Sequence, residues 1–82
     1  EATVASLRAD AVLGAMLHTS RSLAAAAIAA GKVELNHLPL RSAHEPVFAG
    51  DLFTVRGGGR WRVKAIGGKS RKDRIFITFF QY

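Results

Sequence analysis

Apolar residues in the first third of the chain recur at helical spacing. Ala9, Val12, Leu13, Met16 and Leu17 form one stripe through about residue 18. Ser6 precedes that stripe as a candidate cap, and Asp10 lies in the opening turn, where a carboxylate complements the helix dipole. "HTSRS" (18–22) interrupts the pattern. Thr19 or Ser20 then caps a second helix, "RSLAAAAIAA", which Gly31 ends. Its alanines favour helix formation and let another element approach closely, while Leu23 and Ile28 supply the larger apolar groups.

After Gly31 the period falls to two. "KVELN" sets Val33 and Leu35 against Glu34 and Asn36, the alternation of a half-buried strand. "HLPLRSAHEPVFAGD" carries prolines at 39 and 46 and a turn at Gly50-Asp51, so it reads as loop with room for a short edge strand. "LFTVR", the turn "GGG" and "RWRVKAI" make a hairpin. "GGKSRKD" reads as a basic loop, and "RIFITFFQY" as a last strand with apolar residues on both faces. The order predicts an α+β domain: two N-terminal helices packed on a small, mostly antiparallel sheet of four to five short strands.

Composition narrows the class. At 82 residues the chain is one small domain, and it has no cysteine for disulfides or thiolate metal sites. The longest strongly apolar run, "LAAAAIAA", is too short to cross a bilayer. A start at Glu1 rather than methionine fits a domain excised from a longer protein. Net charge is +6, and its distribution says more than its size. Residues 1–55 hold four basic and five acidic side chains, net −1; residues 56–74 hold eight basic side chains and Asp73, net +7. Such a concentrated basic segment attracts polyanions, and beside an aromatic it favours nucleic acid over a merely solvated face.

Catalysis finds no support. A phosphate-binding P-loop needs GxxxxGK[ST] between a strand and a helix; "GGGRW" lies between two strands, and "GGKS" at 67–70 has neither the earlier glycine nor a following helix. His18, His37 and His44 are scattered without metal-ligand spacing. Ser20 is better explained as a cap than as a nucleophile. No cofactor, metal or small-molecule substrate is implied, and the chain reads as non-enzymatic.

The basic hairpin is more informative. Arg60, Arg62 and Lys64 alternate with Trp61, Val63 and Ala65, so period two puts the cations on one face and the apolar residues, with Trp61 as core, on the other. An ordinary amphipathic strand has the same pattern, but its cationic row is open to phosphates. Lys69, Arg71, Lys72 and Arg74 continue it in the next loop. At "TSRS", the start of the second helix and Arg21 offer a second place for a phosphate. The same junction fits a DNA-reading helix-turn-helix, although a helix of alanines has few side chains able to reach base edges.

The run "RADAVLGAMLHTSRSLAAAAIAAGKVELN", resumed at "GDLFTVR", resembles the RNA-binding domain first described in small-subunit ribosomal protein four, here the S-four domain. The ordered combination of SRS, I-x-x-GKV-x-x-N and the later GD carries the likeness. The continuation "VRGGGRW…GGKSRKDRIFITFFQY" is similar to the YlmH-like bacterial and plastid branch, which includes the photosystem II S-four proteins. In that branch the S-four domain ends the chain, which places residues 1–82 at the C-terminal end of a longer protein. The chain departs from the pattern at Ala9, where the family usually has leucine, and at Asn36-His37, where many members have Asn-Gly.

The resemblance implies a helical pair on a small sheet that presents a basic surface to structured RNA, ribosomal or transfer. It implies a cytoplasmic, translation-associated setting with the ribosome as partner, or a plastid one. Carried over by position, the implied RNA contacts are Arg8, Ser20, Arg21, Lys32 and Asn36, with Arg56 and Arg60 from the branch. Charge alone adds Arg62, Lys64, Lys69, Arg71 and Lys72. The alternatives are a DNA-binding helix-turn-helix, a module facing an acidic protein, and an accessory domain of an RNA-modifying enzyme.

Overall fold

The computed structural model describes residues 2–69 and 72–82. In chain order its elements are β1 (Ala2–Val4), α1 (Ala9–Leu17), α2 (Arg21–Ala29), β2 (Val33–Leu35), β3 (Leu38–Pro39), β4 (Leu52–Val55), β5 (Gly59–Lys69) and β6 (Ile75–Gln81). The strands form one antiparallel sheet in the order β1-β6-β5-β4-β2-β3. The α+β class is as expected, but the sheet has six strands rather than four or five. The additional strand precedes the helices. β1 has too few residues to show an alternation of its own, and it becomes a strand by pairing along β6 at Ala2↔Ile77, Thr3↔Phe76 and Val4↔Ile75.

Both helices contribute to the core on one face of the sheet. Val12, Leu13, Met16, Ala24 and Ile28 pack with Val33, Phe53, Val55, Trp61, Val63 and Ile77. Trp61 is core, as its place in the alternation predicts. Ala9 is fully buried, and the N–H groups of Ala9 and Asp10 donate to the carbonyls of Glu45 and Ala43. The loop after β3 therefore supplies the acceptors that start α1. This overturns the expectation that Ser6 caps it: the cap position is Arg8, no side chain caps the helix, and the buried Ser6 hydroxyl has no partner. α2 begins as predicted, with the Leu23 N–H donating to Ser20 Oγ at 3.1 Å. It ends at Gly31 (φ 76°), where the N–H groups of Gly31 and Lys32 reach back to Ile28 and Ala27, a Schellman closure.

Two irregularities alter the predicted hairpin. β5 shifts register between Val63 and Ala65, so one extra residue enters the strand and the inward phase moves from odd to even positions. Ile66, opposite Ile77, takes the inward place, and Ala65 is exposed rather than apolar core. β5 also runs through Gly67, Gly68 and Lys69, so the first part of the expected basic loop is strand.

Candidate nucleic-acid interface

At the junction of α1 and α2, whose axes bend by 110°, Asp10 is buried and holds two arginines. Arg8 meets it through Nη2 at 2.9 Å and Nε at 3.3 Å, and Arg21 through Nε at 3.0 Å. The Ala11 N–H adds a further bond at 2.8 Å. Burial by itself pushes this carboxyl up, but the bonds from Arg21, Arg8 and Ala11 outweigh it and hold the group below its ordinary value. Asp10 thus positions the two arginines rather than merely complementing a dipole. The Arg21 side chain is 43% exposed, beside the exposed Ser20 cap.

A second group forms at the far end of α2, about 13 Å along its axis. The Lys32 carbonyl accepts from the Arg56 N–H at 2.8 Å, which fixes the two residues side by side. Arg56 opens the turn from β4 to β5, and Arg60 follows it on β5, opposite Thr54. Gly59 makes this turn possible. Its φ is +107°, and an added Cβ would lie 3.0 Å from Gln81 Nε2. Gly31, Lys32, Glu34, Thr54 and Arg56 line a small cleft of about 90 Å³, and the buried Thr54 hydroxyl has no partner.

Other expected contacts are engaged within the protein. Asn36 Nδ2 donates to Asp51 at 3.1 Å while its Oδ1 accepts from the Leu52 N–H at 3.0 Å, so this side chain ties the β2–β3 turn to β4. Arg62 donates from Nε to the Tyr82 hydroxyl and from Nη1 to the Gly50 carbonyl, both at 2.8 Å, and lies over the Tyr82 ring. Arg74 holds Thr3 of β1. Among the described residues, Lys32, Arg56, Arg60, Lys64 and Lys69 are exposed and make no side-chain hydrogen bond or ion pair. Lys69 ends β5 and Lys72 lies just beyond it; Arg71 falls outside the described residues.

The candidate residues therefore occupy two ends of α2 and the length of β5, which spans roughly 27 Å once its register shifts against β6 are allowed for. The longest dimension of the molecule is 35 Å. A single nucleotide meets only one of these groups; a polymer meets several. The exposed positions of α2 are Arg21, Ser22 and Leu23 followed by alanines, so its outer face has little with which to read bases. On the other side of the sheet from the helices lie Phe76, Thr78, Phe80 and Tyr82. Sequence reading did not single these out, because apolar residues on both parities of "RIFITFFQY" hid the two-residue spacing.

No family model matches the chain. It is similar to the ribosome-associated protein quality control protein P2 of Bacillus subtilis (strain 168), with 36% identity over 77 residues. The match covers 94% of this chain but 30% of that protein, so the chain spans under a third of the relative's length.

Proposed function

We propose that this chain is an S-four-type RNA-binding module of a ribosome-associated protein, gripping structured RNA by its backbone and shape. The observation that carries the reading is the set of cations without a side-chain partner among the described residues, from Lys32, Arg56 and Arg60 to Lys64 and Lys69. Where an arginine of this fold has a structural task, a carboxylate, hydroxyl or carbonyl holds it, as for Arg8, Arg21, Arg62 and Arg74. Lys32, Arg56 and Arg60 have none, and phosphates are the partners that suit them. The two arginines clamped by Asp10 present a second, pre-oriented charge beside the start of α2.

Similarity to a protein named for ribosome association and quality control supports a ribosomal setting; ribosomal or transfer RNA as the partner rests on the S-four resemblance and the unpaired cations. The module supplies binding and no chemistry; any activity of a longer parent lies in other domains. A cytoplasmic location follows from the same reading. The test is binding to a structured ribosomal RNA fragment and to duplex DNA of equal length at matched salt. Arg56→Ala and Arg60→Ala are each expected to weaken RNA binding and to lower the magnitude of the salt slope by about one. Preference for the DNA, or binding unaffected by either substitution, overturns the reading.

A further inference from the structure

The face of the sheet turned away from the helices carries a stripe of exposed aromatic rings. Phe76 is 39% exposed, Phe80 42% and Tyr82 65%, although phenylalanine on a small domain is ordinarily drawn into the core. Alternation along β6 explains their position: Ile75, Ile77 and Phe79 pack inward, so Phe76, Thr78, Phe80 and Tyr82 point outward about 6.6 Å apart in turn. The helices lie on the opposite face and leave these rings uncovered. Phe80 and Tyr82 meet edge to face with centroids 5.3 Å apart.

Cations border the stripe. Arg62 lies opposite Phe80 in the register and over the Tyr82 ring, with Arg60 and Lys64 on either side along β5. None of the residues in β1, β5 or β6 is acidic. We infer that this outer face is a stacking platform for unpaired bases, with Phe76 and Phe80 as the platforms and Arg60 and Lys64 meeting the flanking phosphates. Rings on an open sheet face bordered by cations suit single-stranded RNA, because every base has a π-face and every linkage a charge. A protein partner suits the face less well. The stripe is one residue wide, is interrupted by Thr78 and is bordered by charge, whereas the buried centre of a protein interface is depleted of charged residues.

The inference deepens the RNA reading and rests on it for the identity of the polymer. Arg60 lies on β5 just after the β4–β5 turn and borders this face, so a strand leaving a duplex held at Arg56 passes it on the way to Phe80.

The test uses the 82-residue chain with two probes, a ten-nucleotide uridine oligomer and a twelve-base-pair RNA duplex. Phe76→Leu and Phe80→Leu are each expected to reduce affinity for the oligomer roughly tenfold while leaving duplex binding unchanged. Phe76→Tyr and Phe80→Tyr keep a ring and are expected to retain oligomer binding, which separates stacking from folding. Oligomer affinity unchanged in both leucine variants overturns the inference, and so does its loss in the tyrosine variants. Dissociation of a dimer by the leucine substitutions, with RNA affinity intact, assigns the face to a protein partner and also overturns it. If wild-type chain binds neither probe, the RNA reading itself fails; if it binds the duplex and loses it in Arg56→Ala, that reading stands whatever happens at the phenylalanines.

Discussion

A single buried carboxylate organises the arginines at the helix junction. Asp10 is 4% exposed and faces two guanidinium groups and one N–H, so its charge is compensated and its geometry fixed. Asp10→Asn is expected to lower unfolding free energy by about 1–3 kcal/mol in urea titrations, since it weakens charge-assisted bonds to groups packed around it. The pH dependence has a definite sign. Folded Asp10 titrates below its unfolded value of about 3.8, so the unfolded chain takes up the proton first as acid is added. Its stabilisation is complete above that value and is lost as pH falls through the lower, folded one. Wild type is therefore expected to melt at progressively lower temperature below about pH 4, and the asparagine variant to show a shallower fall in the same scan. Another residue-scale expectation concerns the β2–β3 turn. Asn36 (φ 53°) and His37 (φ 69°) are both left-handed between the paired Leu35 and Leu38, which is a type I′ turn. The departure from Asn-Gly thus keeps the turn's shape and adds strain at a residue with a Cβ. His37→Gly is expected to raise the melting temperature by a few degrees, the relief of strain exceeding the greater freedom of glycine in the unfolded chain.

At the scale of elements, the two helices start differently although each begins near a serine. Ser20 caps α2 through its own side chain, a local bond that the sequence signals directly. Ser20→Ala is expected to cost about 1 kcal/mol by chemical denaturation. Ser6 is as plausible a cap by position, yet α1 takes its acceptors from Ala43 and Glu45, more than thirty residues away. No local pattern carries that information. The β4–β5 hairpin shows the same division. The three glycines marked a turn, and its location agrees with the sequence reading. The register shift after Val63 was not marked, because Lys64 and Ala65 continue a regular alternation that the pairing with β6 breaks. Gly59→Ala is expected to destabilise the domain by about 1–3 kcal/mol, since φ +107° strains any residue with a Cβ, while the exposed Gln81 amide can move aside.

For the whole molecule, charge and task separate. Arg62 is in the basic segment, but its bonds to Tyr82 and Gly50 make it a tie between the end of β6 and the turn before β4. Arg62→Ala is expected to lower stability more than it changes the salt slope of RNA binding, the reverse of Arg56→Ala; paired denaturation and salt titrations distinguish the two. The sequence by itself determined the α+β class, the two helices, a cap for the second at Thr19 or Ser20, the hairpin glycines, Trp61 as core and the concentration of positive charge after residue 55. These follow from spacing and composition, which act between near neighbours in the chain. Tertiary structure alone decided that β1 joins the sheet, that loop carbonyls start α1, that Asp10 draws Arg8 and Arg21 together, and that Asn36 and Arg62 are internal ties. It also decided that the rings of β6 face solvent beside β5. Each of these depends on which distant backbone lies opposite a residue. A one-residue shift in pairing turns a strand's side chains to the other face, and the alternation of a single strand does not contain its register.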